Sequence, residues 1–143
     1  MEIDTQTDTN NLTLDKLAFI DDNTINGHAI ININGNYKIN KQDEGVTLTY
    51  LVNILNRVIK KTKENHKNTI IVNIFMDNYK LKNISRDFII TTSKLLITLY
   101  PEHLEQCNII NSPHVFKSIL VIINKFLDPL TRDRMLLKSI ATN

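Results

Sequence analysis

The residues that could carry chemistry are few and mostly far apart. His28, His66, His103 and His114 are scattered, with no H-E-x-x-H pattern and no Cys/His spacing suited to a metal. Cys107 opens a short apolar run to Ile110, where an inert buried thiol is expected rather than a nucleophile. With only three glycines in the chain, there is no glycine-rich phosphate loop. Catalysis finds no support, so a non-enzymatic protein without metal or cofactor is expected. What remains is binding chemistry. Asp128-Pro129 starts a helical turn whose free amides, with the Thr131 hydroxyl, would form an anion site. Arg134 follows, and arginine grips phosphate with two parallel bonds. Glu102 offers a carboxylate to hydroxyl donors. On residue types alone, Glu102 and Arg134 read as a surface ion pair worth about 0–1 kcal/mol.

The elements that must position these groups lie in Tyr100–Thr131. Tyr100-Pro101 ends the helix before it, because proline lacks an amide hydrogen and restricts the preceding residue. Cys107–Ile110 suits a strand in a covered sheet. Ser112-Pro113 is a helix start, with Ser as N-cap and Pro at the first position. The helix it opens runs to about Leu127. At roughly 100° per residue, Val115, Phe116, Ile119, Leu120, Ile122, Ile123, Phe126 and Leu127 cover an arc of about 160°. A surface helix needs a stripe of only about 100°, so this one carries more apolar surface than one packing partner requires.

The succession of Y-P-E-x-L from Tyr100, N-I-I-N-S-P from Asn108 and K-F-L-D-P-L-T from Lys125 resembles the CRAL-TRIO lipid-binding domain. That is the fold of the yeast phosphatidylinositol/phosphatidylcholine transfer proteins and of tocopherol and retinal carriers. The likeness is strongest over residues 69–137 and weaker back to Leu17. It implies a lipid cavity above a sheet floor, closed by a mobile gate helix at Pro113–Leu127. Phe116, Ile119, Leu120, Ile123 and Phe126 would line the acyl chains and meet the bilayer when the gate opens. In the phosphatidylinositol transfer branch, a glutamate at the position of Glu102 belongs to the headgroup constellation, with a lysine thirty-two residues on. Arg134 stands at that lysine's position and Thr131 matches, so the implied headgroup residues are Glu102, Thr131 and Arg134. Three positions depart from that pattern. Asn68 and Ile70 replace the Ser and Thr that hold choline, which argues against phosphatidylcholine by that route. Asn73 replaces a common aspartate and reads as structural.

The resemblance implies non-enzymatic binding and transfer of phosphatidylinositol or a phosphoinositide, held as ligand rather than cofactor, by a cytoplasmic protein that touches membranes transiently. Two rivals stay open: a protein-docking or membrane-targeting module with a degenerate cavity, and a carrier of a sterol, retinoid or tocopherol. A form lacking the helical domain that commonly precedes the sheet is expected, and a second subunit could close a cavity with fewer walls.

Composition fits these expectations. The chain has 143 residues, 42% hydrophobic and 22% charged, as in a soluble globular domain. A formal charge of +2, without a basic stripe interleaved with aromatics, argues against nucleic acid. No apolar run approaches the roughly 20 residues of a membrane span. One cysteine excludes an intramolecular disulfide. Residues 1–11 are polar and aperiodic and should be flexible, leaving 12–143 as one domain. Leu12–Ile20 is apolar-periodic, Asp21–Gly27 reads as a turn cluster and Ala29–Ile33 as a strand. Thr47 is placed to cap a helix with Leu48, Leu51, Val52, Leu55, Val58 and Ile59 on one face. Its basic end, Lys60–Lys67, complements the helix dipole. Thr69–Met76 is the clearest buried strand. A helix carrying Ile84, Phe88, Thr91, Thr92, Leu95, Leu96 and Leu99 follows the loop at Asp77–Asn83. Pro129–Asp133 is a helical turn and Met135–Ile140 a last strand. Alternating strands and helices predict a small α/β sheet with packed helices.

Overall fold

The computed structural model describes residues 14–100 and 102–140; the segment expected to be flexible, 1–11, lies outside them. Five strands form one sheet in spatial order 1-2-3-4-5: β1 (Ala18–Ile25), β2 (His28–Asn34), β3 (Ile70–Phe75), β4 (Leu104–Ile110) and β5 (Met135–Lys138). β1 and β2 form an antiparallel hairpin across Asn26-Gly27, where Gly27 has φ +85°. Every later pair is parallel. Parallel neighbours need a crossover, and right-handed crossovers that always advance in one direction leave their helices on one face. Those connections are α1 (Glu44–Glu64), α2 (Arg86–Leu99), and the pair α3 (Phe116–Asn124) and α4 (Pro129–Asp133). The α/β class with packed helices is as expected, and the helices form a layer on one face.

Residue alternation assigns the two faces. Ala29, Ile31 and Ile33 of β2, Ile70, Val72 and Ile74 of β3, and Cys107 and Ile109 of β4 pack into the core with the helices. The intervening positions carry Asn32, Asn73 and Asn108, which are paired neighbours in register. Gln106 donates to Asn108 (2.6 Å), Asn108 to Asn73 (2.8 Å), Asn73 to Asn32 (3.1 Å) and Asn32 to Asp21 (3.2 Å). A carboxylate can only accept, so Asp21 fixes the orientation of every amide behind it. The structural reading of Asn73 holds for this reason: an aspartate there could not donate to Asn32.

Three local expectations are corrected. Asp21–Ile25 is strand rather than turn; it pairs on one side only, its side chains are half or fully exposed, and its ladder is bulged between Asp21 and Ile25. Thr47 is not an N-cap, because a 3-10 turn at Lys41–Asp43 starts the helix earlier. Its buried hydroxyl instead donates back to the Asp43 carbonyl at 2.7 Å. Ser112 does not cap α3, whose first turn forms only at Phe116 after a tight turn at Pro113–Val115. By contrast, Ser85 caps α2 by accepting from the Phe88 amide at 3.1 Å, and α4 spans Pro129–Asp133 as expected.

Candidate functional site

Between the inner sheet face and the helices lies a cavity of about 370 Å³. Its floor is Ile31, Ile33, Val72, Ile74, Cys107 and Ile109, and its walls include Leu51 and Leu55 of α1, Phe88 and Leu96 of α2, and Phe116 and Ile123 of α3. The strands supply an apolar floor because every second residue is aliphatic; the helices supply walls through stripes at helical spacing. Burial drives the Cys107 thiol up to about 12, so it stays protonated and inert at neutral pH.

The charged groups gather at one end of this cavity. α2 runs back across the sheet, so the turn after its C-terminus, the start of β4 and the start of β5 meet at one edge. Glu102, His103, Asp128, Thr131 and Arg134 all line the cavity there. The three residues expected to bind a headgroup, Glu102, Thr131 and Arg134, are thus brought together from the turn after α2, from α4 and from the α4–β5 junction. Glu102 is exposed, and its left-handed φ of +68° is uncommon for a residue other than glycine. Arg134 is half-buried and donates through Nη1 to the Leu104 carbonyl at 2.7 Å, leaving its other donors. His103 bonds the Asn68 carbonyl through Nδ1 (3.2 Å) and lies edge-on to Tyr100.

The anion site expected at the amides of α4 is not open. Asp128 accepts from the Thr131 amide at 2.6 Å and from the Thr131 side chain, which holds its carboxyl below the usual 3.8; Arg134 and Arg132 push the same way. A carboxylate already occupies the place a phosphate would take, so Arg134 is the stronger cationic contact. Ile70 lines the cavity and Asn68 is exposed beside the His103 contact, so neither position returns a hydroxyl to the site.

The expected gate helix is α3 with the turns flanking it. Phe116, Ile123 and Leu127 line the cavity. Ile119 is fully buried and Leu120 and Phe126 half-buried in the adjoining core, none of the three being among the lining residues. Both ends of the segment are held. Phe116 meets Tyr79 edge-to-face at 6.2 Å, and Arg132 donates to the carbonyls of Asn124 (2.9 Å) and Leu127 (3.1 Å).

One wall residue was read only as part of an apolar stripe. Thr92 of α2 lines the cavity, is 8% exposed, and its hydroxyl has no hydrogen-bond partner among the described residues. Leaving such a group unpaired costs about 1–3 kcal/mol. The available signal was a pair of hydroxyl residues, Thr91 and Thr92, on a helix stripe whose other members are apolar.

Among the described residues no helix is long and apolar enough to cross a membrane. The CRAL/TRIO domain family model matches residues 15–140. The crystal structure of Sfh5 is similar, with a TM-score of 0.70 at 18% identity over 89% of this chain. This chain spans 50% of the length of that one. No curated protein matches the sequence.

Proposed function

Because the chain belongs to the CRAL/TRIO family, whose members bind and transfer lipids, we propose that it carries phosphatidylinositol or a phosphoinositide between membranes. One observation carries the headgroup reading: an apolar cavity with its charged side chains, Arg134 and Glu102 among them, collected at a single end. Acyl chains buried against the aliphatic floor would supply most of the affinity, at about 0.8 kcal/mol per CH₂. The guanidinium would meet the phosphate and Glu102 the ring hydroxyls, so that headgroup contacts select among lipids. Two acyl chains need more room than about 370 Å³, so loading would require α3 to move. The Arg132 contacts to Asn124 and Leu127 are then the bonds that opening breaks. Touching a membrane suffices for exchange.

The same volume favours a second reading. A sterol, retinoid or tocopherol is compact enough to enter with less displacement of α3. The deciding measurement is native mass spectrometry of the protein purified from a eukaryotic host, followed by transfer of the bound lipid to acceptor vesicles. Stoichiometric inositol lipid, released to acceptors, is the expected outcome. A compact hydrophobe in its place would support the second reading, and no lipid with no loading from vesicles would overturn both.

A further inference from the structure

Thr92 sits in a cavity wall that is otherwise nearly all apolar, and Ser93 beside it also lines the cavity. Helical threonine ordinarily turns its hydroxyl to the carbonyl one turn back. Thr92 makes no such bond, and its oxygen is sealed within the wall. Threonine has two χ1 wells in a helix. Rotation between them exchanges hydroxyl and methyl without moving the backbone, so a ligand in the cavity can recruit the hydroxyl at little cost. Position along α2 matters too. Thr92 lies seven residues before Leu99, about 10 Å along the axis from the polar end at the helical rise. Phe88, one turn further from that end, belongs to the same apolar core and cavity lining as Ile84 and Met76.

We propose that Thr92, with Ser93 beside it, forms a polar rung inside the cavity that donates a hydrogen bond to an ester carbonyl of a diacyl lipid. In a glycerolipid the esters are the polar atoms that lie between headgroup and acyl chains, where a hydroxyl partway down the wall would meet them. The depth argument rests on the headgroup lying at the Arg134 end, as proposed above. The rung recognises the linkage rather than the headgroup. It would favour diacyl over dialkyl lipids of the same chain length, because an ether oxygen is a poorer acceptor than a carbonyl.

The test is competitive loading. Full-length protein is incubated with vesicles holding a diacyl lipid and its dialkyl analogue in equal amounts, and the bound pair is quantified by mass spectrometry after reisolation. The measurement is made in turn with phosphatidylinositol, phosphatidylcholine and headgroup-free glycerolipid pairs, in a dialkyl matrix. Wild type should enrich the ester form about fivefold. Thr92→Val, which keeps the shape and removes the hydroxyl, should bring the ratio to about one, and Thr92→Ser should restore it. A wild-type protein that takes ester and ether forms equally overturns the rung, whatever the variants do. So does a Thr92→Val protein that keeps the ester preference. The headgroup reading fails separately. An ester preference seen equally with all three headgroups, and no preference for inositol, would leave the rung standing and remove the Arg134 assignment. Inositol preference without ester preference would do the reverse.

Discussion

Replacing Arg134 with alanine tests the headgroup assignment most directly. The guanidinium is half-buried at the polar end of the cavity, commits Nη1 to the Leu104 carbonyl and retains its remaining donors. A charge-assisted hydrogen bond to a phosphate contributes about 1.5–3 kcal/mol net. At about 1.4 kcal/mol per decade, its loss lowers the preference for phosphatidylinositol over a phosphate-free diacylglycerol by about 10- to 150-fold. Arg134→Lys keeps the charge but not the bidentate geometry and should fall between wild type and Arg134→Ala. Asp128 faces the same site with the opposite charge, so Asp128→Asn should strengthen phosphate capture. The assay is loading from mixed vesicles read as a lipid ratio, which cancels any general loss of activity. Loss of the Leu104 bond itself, about 1 kcal/mol, should lower Tm by about 3 °C in a domain of this size. A variant that folds with about that Tm yet shows the wild-type lipid ratio refutes the assignment. Equal loss of both lipids would assign Arg134 to the cavity mouth rather than to phosphate.

Other predictions follow from single contacts. Glu102→Gly should relieve the left-handed backbone and raise stability by about 1 kcal/mol, while abolishing inositol selectivity; a fall in Tm would show that the turn does not need this geometry. Asn73→Asp should destabilise by about 1–3 kcal/mol, because it faces the Asn32 oxygen with a second acceptor while Asp21 prevents the Asn32 amide from flipping; an unchanged Tm would show that the ladder is not polar in this sense. Asp128 is lowered in the folded protein by its bonds to Thr131, so its cap contributes stability above its ordinary value of 3.8 and loses it as pH falls below that. Asp128→Ala should therefore lower Tm at neutral pH and converge with wild type in strong acid, as thermal melts across acid pH would show. Cys107, with its thiol raised to about 12, should resist maleimide at neutral pH until unfolding exposes it; rapid labelling of the native protein would contradict its burial.

The sequence exposed most of what the core requires and less of what the edges do. β3 and β4 were legible because each is paired on both edges inside the sheet and their aliphatic runs show it. β1 was hidden because an edge strand packs on one side only, and Asp21, Asp22, Asn23 and Thr24 satisfy the pleat without an apolar alternation. The starts of α1 and α3 were misplaced for a related reason. Thr47 and Ser112-Pro113 are good local start signals, but the chain needed an extra turn at each to reach its seat on the sheet. Asp128 starts its turn where expected, since nothing beyond that turn competes, and Ser85 caps α2 without having been singled out. The site was legible only in part. That Glu102, Thr131 and Arg134 line one end of the cavity was legible from the pattern around them, whereas Thr92 looked like one more position on a stripe. Its unpaired state depends on which neighbours surround it in three dimensions, and no spacing rule conveys that.

The two faces of the sheet divide the tasks of the fold. On the outer face, the Asn ladder pins β2, β3 and β4 in register through directed hydrogen bonds ending on Asp21, and a one-residue slip would break every one of them. Strand register is thereby fixed by bonds that do not touch the cavity. The inner face can then be lined with nearly interchangeable aliphatic side chains, whose packing alone discriminates poorly against a two-residue slip that keeps them facing inward. A floor built this way can change partners, from α3 to a ligand's acyl chains, without loosening the strands beneath it. It follows that weakening the ladder should lower the stability of the whole domain while leaving lipid selectivity intact. Changes at Arg134 or Thr92 should alter selectivity with little effect on the sheet.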